Sequence, residues 1–236
     1  MQTKELLYEG KAKKVFLTDD PNVLYCLFKD DATAFNAKKK GTIVDKGKMN
    51  TAITNTIYTM LAKKGIPTHL INKVGEDALL VKKVTIIPVE VVVRNFAAGS
   101  MAKSLGLTEG HKLASTVIDF YYKSDALDDP YINESRIYAM GWATPAEMQE
   151  IKELTLRINE ALKPFFEKIG IKLIDFKLEF GKTADGQVIL ADEITPDTCR
   201  LWDMKTNEKM DKDRFRRDLG GIEEAYQEIL KRVQAQ

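Results

Sequence analysis

Residues 174–193 read IDFKLEFGKTADGQVILADE, and this stretch says more about the fold than any other. The runs 171–180 (IKLIDFKLEF) and 187–194 (QVILADEI) are rich in β-branched and aromatic residues, as strands are. Asp185-Gly186 between them is a favoured two-residue hairpin turn. With that turn, Ala184 faces Gln187, and counting outwards sets Glu179 opposite Asp192. Alternation puts Asp175, Lys177 and Glu179 on one face, and Ile174, Phe176, Leu178 and Phe180 on the other. Directly opposed carboxylates destabilise a ladder: at about 5 Å and an effective dielectric of about 20 their repulsion is of order 3 kcal/mol. A shared divalent cation reverses that sign, and Mg²⁺ suits one or two carboxylates completed by phosphate oxygens. An amphipathic hairpin with its polar side in water explains the same alternation without a metal.

Outward from this hairpin, residues 145–168 predict a long helix. Thr144 is placed as N-cap, Pro145 at the first helical position and Glu147 to close a capping box. Pro164 is expected to kink it or split off its last turn. Residues 78–97 (ALLVKKVTIIPVEVVVRNFA) read as strands broken near Pro88, and 6–17 as two short strands around Gly10, with another strand at 23–28. The apolar stripe Met49, Ile53, Ile57, Met60 and Leu61 predicts a helix over 48–64, stopped by Gly65. The tail 211–234 is helical with an interruption at Gly220-Gly221. Without strict βα alternation, this order predicts an α+β protein. Its nucleotide cleft would lie between an N-terminal β-rich lobe, 1–82, and a larger C-terminal α/β lobe, 83–236.

Composition narrows the function. The 236 residues carry 36 basic and 35 acidic side chains, a formal net charge of +1, so no overall field attracts nucleic acid or a membrane surface. Two distant cysteines, Cys26 and Cys199, suit a reducing compartment and give neither a disulfide framework nor a thiolate metal site. The first residues hold no apolar run of signal-peptide length, so the chain reads as cytoplasmic. Nothing resembles a Ser-His-Asp triad, and Cys199 has no histidine beside it.

Charge therefore matters in local clusters. YEGKAKKVF (8–16) sets a glycine and three lysines in a hairpin, which fits either phosphate approach or an exposed turn; it is not a Walker A loop. In VVVRNFAAGSMAK (91–103), Arg94 ends an apolar run and small residues precede a helix, an arrangement that suits an anion or, equally, a structural ion pair. ITPDTCRLWD (194–203) puts Asp197 and Arg200 beside the proposed metal, and an arginine fork suits carboxylate or phosphate. Arg214, Arg216 and Arg217 read first as a solvated helix face.

These motifs resemble one family. VEVVVRNFAAGS (89–100), LIDFKLEFG (173–181) and the DE-x-x-PD-x-x-R-x-W pattern of 192–202 are similar to those of the SAICAR synthetases, the phosphoribosylaminoimidazole-succinocarboxamide synthases of purine biosynthesis. The match extends through YEGKAKKVF to KMDKDRFRRDLGG (209–221) and so spans the chain in order. The resemblance implies a two-part ATP-grasp-like fold, a homodimer or related oligomer, and ligation of carboxyaminoimidazole ribotide to L-aspartate with ATP and Mg²⁺. It implies that Lys11, Ala12, Lys13, Val15, Val81, Lys82 and Val84 line the nucleotide, with Lys123 near its phosphates. Glu179 and Asp192 are implied as Mg²⁺ ligands. Arg94, Gly99, Ser100, Asp175, Lys177, Arg200 and Arg216 are implied as contacts to the ribotide, its phosphate and its carboxylate, and Asp197 is placed with these substrate residues. Lys177, Asp175 and Arg200 are the expected catalytic set. In 32–41 the match is loosest, because Asn36 stands where relatives often carry aspartate. A small-molecule kinase would use the same phosphate and metal apparatus, and a non-catalytic nucleotide binder would not need the lysine and metal pair.

Overall fold

The computed structural model describes residues 2–34 and 38–236, so Asn36 lies outside the described residues. In chain order the elements are β1 (Thr3–Glu9), β2 (Lys13–Thr18), β3 (Val23–Phe28), β4 (Asp31–Ala34), β5 (Lys39–Thr42), α1 (Lys46–Lys63), β6 (Leu70–Lys73), β7 (Ala78–Lys82), β8 (Thr85–Phe96) and α2 (Gly99–Leu105). They continue with β9 (Lys112–Tyr122), a 3₁₀ turn (Asp125–Leu127), β10 (Tyr131–Ile132), α3 (Glu134–Ala139), α4 (Pro145–Lys168), β11 (Ile171–Lys182), β12 (Val188–Ala191), β13 (Cys199–Asp203), α5 (Asp213–Arg216) and α6 (Ile222–Gln234). A five-stranded sheet runs β1-β2-β3-β7-β6, and a six-stranded sheet runs β10-β9-β8-β11-β12 with β13 also on β11. β4 and β5 form a separate hairpin. The fold is α+β, as the element order predicts.

Period-two alternation separates core from cleft along β8. Val89, Val91 and Val93 are buried in the main core, while Glu90, Val92 and Arg94 line the cleft. On β11, Leu178 and Phe180 join that core, and Lys177 and Glu179 face the cleft. The helix α4 covers the core face with Met148, Ile151, Leu154, Ile158, Leu162 and Phe166, a 3.6-residue stripe. Burying each such side chain contributes about 1.5–3 kcal/mol. Its Thr144 and Glu147 make the expected capping box, and Asn159 exchanges 3.0 Å hydrogen bonds with Asn95 on β8, which fixes how the helix sits on the sheet.

Three expectations change. First, α4 runs unbroken through Pro164 to Lys168. Pro164 and Glu160 are both exposed, so water can serve the carbonyl that loses its partner. Second, β8 is continuous through Pro88, and the break falls at 83–84 instead. The pairs Glu179↔Glu90 and Gly181↔Ile86 show two extra β8 residues at that point, a bulge that tolerates proline. Third, Ile174 does not share a face with Phe176. The pairs Leu173↔Leu201 and Asp175↔Arg200 make Ile174 a bulge residue, and it packs with Ala98 and Trp202 apart from the main core.

One helix ties the two sheets together. α1, from the N-terminal third, contributes Ile53, Ile57, Tyr58 and Leu61 to the core of the C-terminal sheet. A parallel bridge, Thr68↔Leu190, also joins the segment before β6 to β12, with His69 N–H donating to the Leu190 carbonyl at 2.8 Å.

Candidate active site

A cleft of about 840 Å³ opens between the two sheets. All of the site residues named from sequence line it except Gly99, which packs directly beneath Arg200. Its apolar end is made by Leu7, Val15, Leu24, Val81, Val84 and Ile86, below the β1–β2 hairpin loop. In that loop Gly10 N–H donates to the Lys13 carbonyl at 2.8 Å, and Lys11 Nζ donates to Asp125 at 2.8 Å.

The middle of the cleft depends on how β11 changes partner. β13 pairs with its first half and β12 with its last four residues. Between them, Lys177 N–H is taken by the carbonyl of Thr198 at 2.8 Å. The acidic segment 192–198 leaves the sheet and returns at this gap, beside Lys177. Lys177 Nζ donates to Glu90 at 2.8 Å and to Glu179 at 2.6 Å, and stands 3.6 Å from Asp192. Lys123 Nζ donates to the same Glu179 oxygen at 2.9 Å. Lys13 donates to both Asp192 and Glu193.

The expected register is off by one. Glu179 pairs with Ala191, and the loop holds three residues: Thr183 N–H donates to the Gln187 carbonyl, and Gly186 takes φ 87°. A three-residue loop closed by a left-handed glycine is the next most common hairpin after the two-residue form. Simple alternation would then send Asp192 away from Glu179. Instead Asp192 adopts φ 59°, a left-handed conformation that aspartate tolerates better than most residues, and its carboxylate returns to the Glu179 side. Tyr58 donates its hydroxyl to the Ala191 carbonyl at 2.7 Å and so holds the residue before this turn.

The carboxylate directly opposite Glu179 is Glu90, which the sequence reading passed over. Its signal was available: one acid inside the apolar run VEVVV. Glu193 was also missed, and nothing in its own type separated it from Asp192. Burial, with Asp192 beside it, pushes the Glu193 carboxyl up to about 8. Burial also opposes the charge of Asp192, but Lys13 and Lys177 outweigh it and hold that carboxyl well below the usual range. Lys177 and Lys123 both lose hydration, yet the neighbouring acids, Glu179 foremost, raise their ammonium pKa.

The far end is an arginine network. Arg94 is buried, donating Nε to Asp119 at 2.7 Å, Nη1 to Asp175 at 3.0 Å and Nη2 to Ser100 at 3.4 Å and Tyr121 at 3.0 Å. Arg200 donates to the same Asp175 oxygen at 2.9 Å and to Asp213 at 3.0 Å, and Arg216 donates to Asp213 at 2.7 Å. Asp197 lines the cleft with its buried carboxylate engaged by protein at both oxygens: Oδ2 accepts from Lys46 at 2.8 Å and Asn50 at 3.0 Å, Oδ1 from Tyr226 at 2.7 Å. Asp119 and Tyr121 were not singled out because their roles come from pairing between β8 and β9, and Asp213 because it meets Arg200 only once α5 is placed beside β13.

Glu179 and Asp192 are hard oxygen donors in one small volume, and the lysines gathered on them show the demand there for positive charge. That donor chemistry fits Mg²⁺. Among the described residues no three potential ligands form a complete protein cage, so phosphate oxygens and water would supply the rest.

Comparison with known proteins agrees along the whole chain. A family model described as SAICAR synthetase matches residues 6–233. The phosphoribosylaminoimidazole-succinocarboxamide synthase of Clostridium botulinum (strain Loch Maree / Type A3) is 57% identical over 233 residues, covering 99% of both chains. The crystal structure of the enzyme of that name from Ehrlichia chaffeensis superposes with a TM-score of 0.96 at 47% identity, covering 98% of this chain and 99% of that one. A SAICAR synthetase solved in complex with ADP gives a TM-score of 0.95 at 46% identity, covering 98% of each chain.

Proposed function

The chain belongs to the SAICAR synthetase family, and we propose that its cleft holds nucleotide, cation and ribotide in that order along one line. It is an ATP-dependent carbon–nitrogen ligase of purine biosynthesis that joins carboxyaminoimidazole ribotide to L-aspartate with release of ADP and phosphate. The observation that carries the arrangement is Lys177, placed midway between an apolar pocket and an arginine network and facing Glu90, Glu179 and Asp192.

In this reading, adenine enters the apolar pocket of Val15, Val81 and Val84. Lys11, Ala12, Lys13, Lys82 and Lys123 follow the phosphates, and Arg94, Ser100, Arg200 and Arg216 face the ribotide. The lobe division falls near residue 82, with Val84 and Lys123 of the C-terminal lobe closing the nucleotide end. Glu179 and Asp192 would hold Mg²⁺, which neutralises phosphate charge and aligns the γ-phosphoryl group when bound. A ribotide carboxylate oxygen forms a bond to the γ-phosphorus while the bond to the ADP oxygen breaks. The aspartate amine then attacks the activated carbonyl and phosphate leaves. Lys177 offsets the negative charge that gathers during both steps, and Asp175 fixes Arg94 and Arg200 so that the carboxylate is oriented. Two buried free thiols, Cys26 and Cys199, support a cytoplasmic setting, and we place the enzyme there as a homodimer. No helix among the described residues is long and apolar enough to cross a membrane.

The coupling of ATP use to ligation tests this directly. ADP and succinocarboxamide ribotide should appear in equal amounts, and only when aspartate is present; a full equivalent of phosphorylated ribotide accumulating without any amine would instead identify a kinase. A smaller effect is expected at Tyr58→Phe. It removes the Tyr58 hydrogen bond to the buried Ala191 carbonyl, at a cost of about 0.5–1.5 kcal/mol. Because Asp192 follows that carbonyl, the Mg²⁺ concentration for half-maximal turnover should rise about tenfold. Denaturant unfolding and a Mg²⁺ titration read the two effects separately.

A further inference from the structure

The contacts around the arginine network close into a ring. Arg94 reaches Ser100 and Asp175, Asp175 accepts from Arg200, and Arg200 reaches Asp213. Arg217 lies 3.5 Å from Asp213 and donates Nη1 to Glu109 at 2.9 Å. Glu109 accepts the backbone N–H of Gly99 at 3.2 Å, next to Ser100, and the circuit is complete. Glu109 Oε2 also accepts from Lys209 at 3.1 Å. Its own loop is pinned: Gly110 N–H donates to the Ala97 carbonyl and Ala97 N–H to the His111 carbonyl, each at 2.8 Å. Gly110, at φ 85°, packs on the Trp202 ring.

We propose that Glu109 is a positioning residue for the ribotide end of the site, clamping the first turn of α2 to α5 so that Ser100, Arg200 and Arg216 face one anion together. The proposal rests on the assignment of that end to the ribotide. Glu109 does not line the cleft, so it acts only through what it holds. Arg217, the closest of its cationic partners, keeps its carboxyl down to about 2, so the clamp is charged throughout the neutral range. Among the described residues, no other side chain bonds both the α2 N-terminus and the end of α5. The ring spans segments more than 100 residues apart, and Glu109 is the link that closes it.

Glu109→Ala, Glu109→Gln, Arg217→Ala and the Glu109→Ala/Arg217→Ala double variant separate this from a general stability role. Glu109→Ala should raise KM for the ribotide about tenfold with KM for ATP and kcat changed less than twofold. Glu109→Gln, still able to accept from Gly99, should recover part of the loss, and the double variant should be no worse than the more affected single. A proportional rise in both KM values, or a lowered melting temperature with no change in ribotide KM, overturns the proposal. Arg200→Lys isolates the underlying assignment. If it leaves ribotide KM unchanged, the ribotide does not bind at this end. If it raises that KM while Glu109→Ala does not, the clamp alone is wrong.

Discussion

Replacing Lys177 with methionine is expected to lower kcat by about two to three orders of magnitude, the size seen when one preorganised charge is removed from a developing anion. Methionine keeps the packing of the stem and removes only the ammonium. Lys177 contacts Glu90 and Glu179, which face each other across β8 and β11, and stands near Asp192. Without it, the Glu90–Glu179 repulsion is of order 3 kcal/mol at an effective dielectric of about 20, with Lys123 left to offset it. The metal-free variant should therefore also melt at a lower temperature, and added Mg²⁺ should raise that temperature more than it does in the parent. Steady-state kinetics and thermal unfolding with and without Mg²⁺ check both parts; a variant keeping more than a tenth of parental kcat would remove Lys177 from the reacting centre. Glu179 pairs with both Lys123 and Lys177, so neutralising it takes a counter-charge from two cations.

Asp197→Asn should produce the largest loss of stability, about 3–5 kcal/mol, because it leaves the buried Lys46 ammonium without its counter-charge. Lys46 is 1% and Asp197 4% exposed, so water cannot substitute. Tyr226 and Asn50 bond the same carboxylate, and Lys212 stands 3.9 Å away. Burial works against the Asp197 charge, yet Lys212 and Lys46 outweigh it and hold the carboxyl far below its ordinary 3.8. A carboxyl depressed on folding stabilises fully above its unfolded value and less as pH falls below it. The parent should thus lose this contribution below about pH 4, whereas Asp197→Asn should show a flatter acid limb. Denaturant unfolding across that range measures it, and adding Lys46→Met should restore part of the loss. Equal stability of parent and Asp197→Asn at pH 7 would show the pair to be solvated.

Much of the fold was legible because its signals are local. The Thr144–Glu147 cap, the Gly65 stop and the Gly10 hairpin each depend on a few neighbouring residues. The candidate site was legible in membership but not in geometry. Whether a hairpin loop holds two residues or three is worth little energy and shifts every cross-strand pair, which is why Glu179 meets Ala191. The return of Asp192 depends on one backbone angle that the sequence does not announce. β9 escaped notice because its first half, KLAST, is mostly exposed and lacks a clean alternation. The Asp119, Asp175 and Asp213 pairings emerge only once β9, β11 and α5 are assembled.

The place of α1 constrains how this molecule can be divided. Its residues Ile53, Ile57, Tyr58 and Leu61 come from the first third of the chain but fill space beneath strands made a hundred residues later. A fragment ending at Lys82 would carry that greasy helix face into solvent, and the complementary fragment would fold around a missing wedge. Biosynthesis on the ribosome meets the same problem, since α1 emerges long before its seat exists. Completion of the core therefore waits for the C-terminal strands, and the two halves mature as one cooperative unit.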